Sequence, residues 1–346
     1  GRWVAALGDA LGSYRLDRCL VHVPVIVDER TAGWQHRGEK GEGERDRMHL
    51  SPSAGTGDSL SGRHTRAGPS SILEPTRQAG GTAMGAFQEL GDGIFRRHYE
   101  SLSLNIGVVI GDDAILVVDS RASHDQADVL RTELASLTTK PVGWVINTHY
   151  HWDHTWGNAR FPEAELWGHA LCRSEMLANG ERARQQVLEW MPAEHHDAVR
   201  AVAITPPTHV FSESASLRIG RSIAMSYHGL AHTNSDIVVR AGEVLFAGDL
   251  VEEGAPPAFG DAFPLDWPAT LSSVELPPTV VPGHGDIVDP AFVDRQQNEI
   301  AAVADLAVAG HASGIPIDEL AADGPFPRQV MHQALGRAFS QLGGSS

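Results

Sequence analysis

The sequence predicts a mixed α/β fold. Three observations carry that prediction. Short apolar runs recur along the chain and stop at turns containing glycine or proline. Segments with helical spacing alternate with them, at about 123–137, 170–188, 290–310 and 327–342. A hydrophobic content of 42% over 346 residues is enough to build the core of one large domain with appendages.

In chain order, the first eighty or so residues differ from the rest. Gly, Ser, Arg, Glu and Pro dominate from Thr31 to Gly81, as in Ser51-Pro52-Ser53-Ala54-Gly55-Thr56-Gly57. Such composition buries too little apolar surface to offset the entropy of ordering. Leu20 to Val27 is an apolar island broken by His22 and Pro24, too short to span a bilayer. It also lacks a clear signal-peptide cleavage pattern. Residues 1–83 are therefore expected to be a low-complexity, disordered extension. The folded domain is expected over 84–346, with Met84 as its natural start.

Strands are expected near 86–91, 94–99, 104–110 and 114–119. A helix follows from Ser123 to Leu137, with Asp125, Asp128, Arg131 and Glu133 on its polar side. Val142 to Asn147 reads as a buried strand, and Ala170 to Leu188 as a helix in which Cys172 is a packed thiol. The region 181–207 reads as helical and charged, then proline-rich. Ile223 to Gly229, Val244 to Ala247 and Thr279 to Val281 read as further strands. The stretch from Glu252 to Trp267, with Phe259 and Phe263, reads as a loop. Both 181–207 and 252–267 are expected to cover the site described next. Helices after Pro290 and Pro327 have an apolar spacing that fits packing on the core or against a homodimer partner.

The chemistry concentrates at His149-Tyr150-His151-Trp152-Asp153-His154, four potential ligands in six residues. Imidazole nitrogen and carboxylate oxygen bind zinc-like cations, and a catalytic site keeps one position open. Three later strand-like runs each stop beside one more such residue: His232, Asp249 and His284. Strand ends and the loops after them are where rigid scaffolds place functional groups. Together these are seven ligands, the number two adjacent cations need.

His149-x-His151-x-Asp153-His154, followed by His232, Asp249 and His284, resembles the metallo-β-lactamase fold superfamily of metallohydrolases. The run Ile115-Leu116-Val117-Val118-Asp119 is similar to the family's first motif. The resemblance spans about residues 86–300 and implies a four-layer αβ/βα sandwich with the site at one sheet edge. It also implies one metal held by His149, His151 and His232 and a second held by Asp153, His154 and His284. Asp249 would bridge them, and Asp119 would orient the ligand loop from behind. Two cations roughly 3.5–4 Å apart can share a water and make it hydroxide near neutral pH. The implied reaction is attack of that hydroxide on an ester, thioester, lactone or amide carbonyl of a small organic substrate. Asp153 is the expected catalytic residue, orienting the nucleophile and moving its proton. Two Zn²⁺ are expected; iron or manganese suit the same ligands.

Position 249 refines the comparison. One class of true metallo-β-lactamases has Cys there, and this chain has only Cys19 and Cys172. The ligand set looks more like glyoxalase II, the acyl-homoserine lactonases and general esterases of the fold. Lactonases commonly place Tyr three residues after the bridging Asp; here it is Glu252. The glyoxalase II signature after that Asp is also missing. Trp156 stands where Gly is common, and Trp152 and Trp156 are candidates to line the pocket or pack beneath it. Tyr150, Asn234 and His228 are candidate substrate donors. Lactam hydrolysis and a di-iron redox enzyme on the same fold are the alternatives.

The remaining expectations come from charge and cysteine usage. The net charge is −17, and from Met84 onward 16 basic face 34 acidic residues. That balance disfavours nucleic-acid partners, whose phosphates need Lys and Arg. No apolar run is long enough for a membrane span. Two cysteines are too few for a disulfide framework, so a cytoplasmic location is expected.

Overall fold

A computed structural model describes residues 87–343. The expected N-terminal extension, residues 1–83, and Met84 lie outside the described residues.

The first half of the domain contributes β1 (Gln88–Gly91), β2 (Ile94–Tyr99), β3 (Leu104–Ile110), β4 (Ile115–Val118), β5 (Val142–Ile146), β6 (Glu165–His169) and β7 (His209–Phe211). The second contributes β8 (Ser214–Arg218), β9 (Ser222–Tyr227), β10 (Ile237–Ala241), β11 (Val244–Glu252) and β12 (Thr279–His284). The helices are α1 (His124–Leu137), α2 (Ala170–Trp190), α3 (His196–Ala201), α4 (Trp267–Ser272), α5 (Pro290–Ser313), α6 (Ile317–Leu320) and α7 (Arg328–Gln341). Strand order is β7-β6-β5-β4-β3-β12-β11-β10-β9-β8, with β1 and β2 attached beside β3. The halves meet through one register pair, His284 opposite Leu104.

Side-chain alternation along the strands builds the layers. Leu116 and Val118 of β4 point into a core shared with Met225, Ile237, Val239, Phe246 and Val281 of the second half. Ile115 and Val117 point the other way, onto Ala127, Leu130 and Leu134 of α1. β11 repeats the pattern: Phe246 joins the inter-sheet core, while Leu245 and Ala247 pack with α5 and α7. The result is helix, sheet, sheet, helix, as expected. At Gly107 the Phe246 ring packs directly on the backbone: a Cβ there would lie 2.5 Å from it.

Local chemistry sets the helix ends. Ser123 caps α1, its side chain accepting from Gln126 N at 3.3 Å. Asp289 caps α5, accepting from Phe292 N at 2.9 Å, and Pro290 follows at the first turn. Gly314 ends α5 in the left-handed region at φ 65°.

Several expectations need correction. Glu133 does not lie on a polar face of α1; it is 7% exposed. Its carboxylate receives Arg97 Nε at 3.0 Å and Nη2 at 2.7 Å, and Tyr99 Oη donates to it at 2.6 Å. A buried charge stays charged where it is paired in this way. The loop 252–267 does not hold its aromatics over an open site. Phe259 and Trp267 are fully buried in the core beneath α5 and α7. Strands β6, β7, β8 and β10 and the short helix α4 add to the elements expected from sequence. Cys172 is buried as a packed thiol. Among the described residues, no helix is long and apolar enough to cross a membrane.

Candidate metal centre

All seven residues singled out in the sequence come together where the two halves meet. β5 ends at Ile146 and leads through His149 and His151 into a single helical turn, Trp152–Thr155, carrying Asp153 and His154. His232 follows β9, Asp249 lies within β11, and His284 is the last residue of β12. Their potential ligand atoms form two groups: His149, His151, His232 and Asp249; and Asp153, His154 and His284. Within each group those atoms lie within 4.8 Å of one another.

Asp249 is central. Its Oδ2 lies 3.7 Å from His149 Nε2, 3.5 Å from His232 Nε2 and 3.3 Å from His284 Nε2. Its Oδ1 lies 3.2 Å from His154 Nε2. Asp153 Oδ2 lies 3.3 Å from His284 Nε2 and 3.7 Å from His154 Nε2. Gly283 allows this approach, because a Cβ there would lie 1.8 Å from Asp249 Oδ1.

Each imidazole has one nitrogen tied outward and the other turned inward. His149 Nδ1 meets Thr148 Oγ1 at 3.0 Å. His154 Nδ1 meets Asp119 Oδ2 at 2.8 Å. His232 Nδ1 meets the Ala258 carbonyl at 3.2 Å, and His284 Nδ1 meets the Leu102 carbonyl at 2.8 Å. His151 is reversed: its Nε2 meets Asp261 Oδ2 at 3.1 Å, and its Nδ1 faces inward. Outer contacts of this kind fix the tautomer and aim the free nitrogen.

The inward atoms are under-satisfied. His149 Nε2 and Asp249 Oδ1 are buried without a hydrogen-bond partner. His232 Nε2 faces His151 Nδ1 at 2.9 Å, and His154 Nε2 faces His284 Nε2 at 3.2 Å. Two neutral imidazoles meeting lone pair to lone pair repel, so each pair needs a proton or a cation between them. Buried unsatisfied polar atoms cost free energy unless something fills the role. Imidazole and carboxylate donors at two adjacent points fit two zinc-like cations.

Electrostatics divide the five imidazoles: two are held neutral, and three hold a proton that a cation would have to displace. Burial, helped by neighbouring histidines, holds His149 well below the usual imidazole range and His232 down to about 4, both neutral as ligands must be. Around His154 and His284 burial is outweighed, chiefly by Asp249, and their pKa values are held well above the usual range. His151, opposed by burial but beside Asp261, is raised to about 9. Against burial, His284, His154 and His149 hold Asp249 well below the carboxylate range.

Asp119 stands where the sequence placed it, behind the ligand loop. At φ 66° it turns its carboxylate onto the loop. Oδ1 accepts from Thr148 N at 2.8 Å, and Oδ2 from Thr148 Oγ1 at 2.9 Å. Below it, Asn147 and Asn158 exchange side-chain hydrogen bonds of 2.7 and 3.1 Å, and Ser120 Oγ donates to Asn158 at 2.7 Å. Trp156 is core, 2% exposed. Trp152 is half-buried and packs against Trp190 with ring centroids 5.7 Å apart, in an apolar cluster that includes Trp156 and the end of α2. The three candidate substrate donors are engaged otherwise. Tyr150 Oη donates to Asp261, Asn234 Nδ2 donates to Glu175, and His228 sits between the Ser226 and Ser273 hydroxyls.

Sequence reasoning missed Asp261 and the role of Glu252. Glu252 is 8% exposed, and its Oε1 accepts from Ala258 N at 2.8 Å and lies 3.8 Å from His232 Nδ1. Burial, then Asp249, raises its pKa to about 8. Glu252 had drawn notice only as a departure from the lactonase pattern. Asp261 follows no ligand spacing and sits in a loop, so no sequence signal marked it.

The sequence profile of the metallo-beta-lactamase superfamily matches residues 102–284. The chain belongs to that superfamily. Its fold is similar to that of the metallo-beta-lactamase FIM-1 from Pseudomonas aeruginosa, solved in a mono-zinc form. Identity is 18%, 62% of this chain and 94% of that chain are covered, and the TM-score is 0.50. It is also similar to a double variant of the sec-alkyl sulfatase PisA1, at 14% identity and a TM-score of 0.60. That match covers 76% of this chain and 51% of the sulfatase, so the chain spans about half the sulfatase's length. No curated protein matches the chain.

Proposed function

We propose that this protein is a binuclear metal-dependent hydrolase acting on an ester, thioester, lactone or amide carbonyl of a small organic substrate. One observation carries the reading: five imidazoles, each tied at its outer nitrogen, turn their inner nitrogens toward two carboxylates at two adjacent points. Core histidines without a metal have no reason to face one another in this way.

His149, His151 and His232 would hold one cation, Asp153, His154 and His284 the other, with Asp249 between them. Zinc is the assignment, and iron or manganese would accept the same donors. Two bound cations supply Lewis acidity toward a substrate oxygen and bring deprotonation of water near neutral pH. The rest falls to the chain. Asp153, with Oδ2 3.3 Å from His284 Nε2, is the carboxylate that can orient a water and take its proton. The anchored imidazoles keep the ligand cage from rearranging as charge develops. Trp152, between two ligand residues and backed by Trp190, offers an apolar wall for the organic part of a substrate.

The test is elemental analysis of the purified chain with a hydrolysis screen of thioesters, lactones, β-lactams, esters and phosphodiesters. About two zinc per chain and turnover of a carbonyl substrate are expected. Asp249→Ala should lose metal and turnover together. A D249A variant with full metal content and full activity sinks the reading, as does a wild-type chain that takes up no metal.

A further inference from the structure

Four of the five imidazoles divide by where they are anchored, while His149 is held through Thr148, which donates to Asp119. His154 and His284 lean on Asp119, after β4, and on the Leu102 carbonyl, just before β3. His151 and His232 lean on Asp261 and the Ala258 carbonyl. Both of these lie in the strap of residues 253–266 between β11 and α4.

The strap has no regular secondary structure beyond the end of β11 to stiffen it, so its contacts must fix it. Glu252 Oε1 accepts from Ala258 N, and Phe263 N donates to the Ala231 carbonyl at 2.7 Å. Tyr150 Oη donates to Asp261, Glu253 N donates to the His284 carbonyl at 3.0 Å, and further hold comes from α7. Arg337 Nε donates to the Ala262 carbonyl at 2.9 Å, and its Nη2 donates to the Asp261 carbonyl at 3.0 Å. Its guanidinium stands over the Phe263 ring at 5.7 Å. One turn later, Gln341 accepts from Leu265 N at 3.1 Å and donates to Asp266 Oδ2 at 2.6 Å. The opposite side of α7, with Met331, Ala334, Leu335 and Ala338, is buried in the core. The helix cannot shift without disturbing that packing.

Resting on the binuclear reading above, we infer that α7, through Arg337, is a positioning element for the His149–His151–His232–Asp249 group and not for the other. Arg337 grips the backbone of the very residue whose carboxylate aims His151. It also grips the same short strap that presents the Ala258 carbonyl to His232. A flat guanidinium reaching two successive carbonyls fixes the strap's rotation as well as its distance, which a point charge cannot do. The His154 and His284 side chains take their outer anchors from the first half of the domain, and the strap meets that group only where Glu253 N, eight residues before Asp261, donates to the His284 carbonyl at 3.0 Å.

The experiment is competition for zinc between the full chain and a chromophoric chelator, resolving two affinities. His284→Ala identifies the phase that belongs to Asp153–His154–His284. Arg337→Ala should weaken the other phase by about 10- to 100-fold, the usual cost of losing an outer partner, and leave the His284-dependent phase in place. Asp261→Ala should weaken the same phase without touching α7, and the double variant should lose less than the sum of the two, since the Asp261–His151 part of the effect is shared. Arg337→Lys keeps the charge and loses the paired donors, so it shows the same selective loss should the alanine variant not fold. Unchanged affinities, or both phases weakening together with a fall in Tm, would overturn the positioning role alone. A wild-type chain that binds no zinc would overturn the hydrolase reading and this inference with it.

Discussion

Asp119 shows how one side chain serves the site without touching substrate. It occupies a backbone region that non-glycine residues rarely adopt, at φ 66°, and its two oxygens take three donors. Asp119→Ala therefore strips His154 of its anchor and leaves Thr148 N buried without an acceptor. The metal affinity of the Asp153–His154–His284 group should fall about 10- to 100-fold, with a smaller loss in the other group, where Thr148 Oγ1 links Asp119 to His149. The fold should lose about 1–3 kcal/mol for the orphaned amide. Chelator competition and urea denaturation read the two effects; a variant with wild-type affinity in both phases would remove Asp119 from the site. This residue was legible because it ends an apolar run in a recognisable motif. The seven ligands were legible for a related reason: each stops an apolar run or fills a dense cluster, and metal chemistry admits few residue types, although at Asp249 the strand continues to Glu252. Asp261 and Glu252 were not, because a single acid in a loop looks the same whether it faces water or an imidazole.

Among elements, those buried on both faces were the easiest to read. β3, β4 and β5 are rich in apolar residues, broken in β3 by Asn105, and α1, α5 and α7 carry clean caps or helix-starting prolines. β7 and β8 are short outer strands, half-exposed and partly polar, and β10 follows too closely on the His232 turn to stand out; only pairing with neighbours makes them strands. The face assignment of α1 failed at Glu133 because periodicity assumes that a charge seeks water. Here Arg97 on β2 supplies a two-point partner, Tyr99 adds a third hydrogen bond, and Arg121 lies 3.4 Å over the Tyr99 ring. The pair ties α1 to β2 across the edge of the first sheet. Glu133→Ala leaves Arg97 charged and without its carboxylate and should cost about 3–5 kcal/mol, measured as a shift in the urea midpoint at constant m. Loss below about 1 kcal/mol would mean that Arg97 finds other partners and that the pair does not secure α1.

At the scale of the whole molecule, the site is also the seam. The two sheets share one register pair, and its residue on the second-half side, His284, is itself a ligand. Cations bound there would cross-link β5's loop, β11 and β12, joining halves that otherwise meet through the inter-sheet core. Removing them should therefore destabilise the entire domain and not merely silence a surface site. With free zinc at a thousand times its Kd, binding to the folded chain alone contributes about 4 kcal/mol per site. Excess chelator should lower Tm in a single cooperative transition. The effect has a definite pH sign. Imidazoles and carboxylates bind metal only when deprotonated, and His151 is raised to about 9 with His154 and His284 also held above the usual range, so the metal-linked stability keeps growing with pH up to that range. It is lost as protons displace the cations at falling pH. The gap in Tm between zinc-loaded and chelated protein should thus be wide at pH 8 and close toward pH 5, as scanning calorimetry would record. A gap that stays constant over that range would mean that zinc binds elsewhere than at these histidines, and no gap at pH 8 would mean that the seam does not depend on metal.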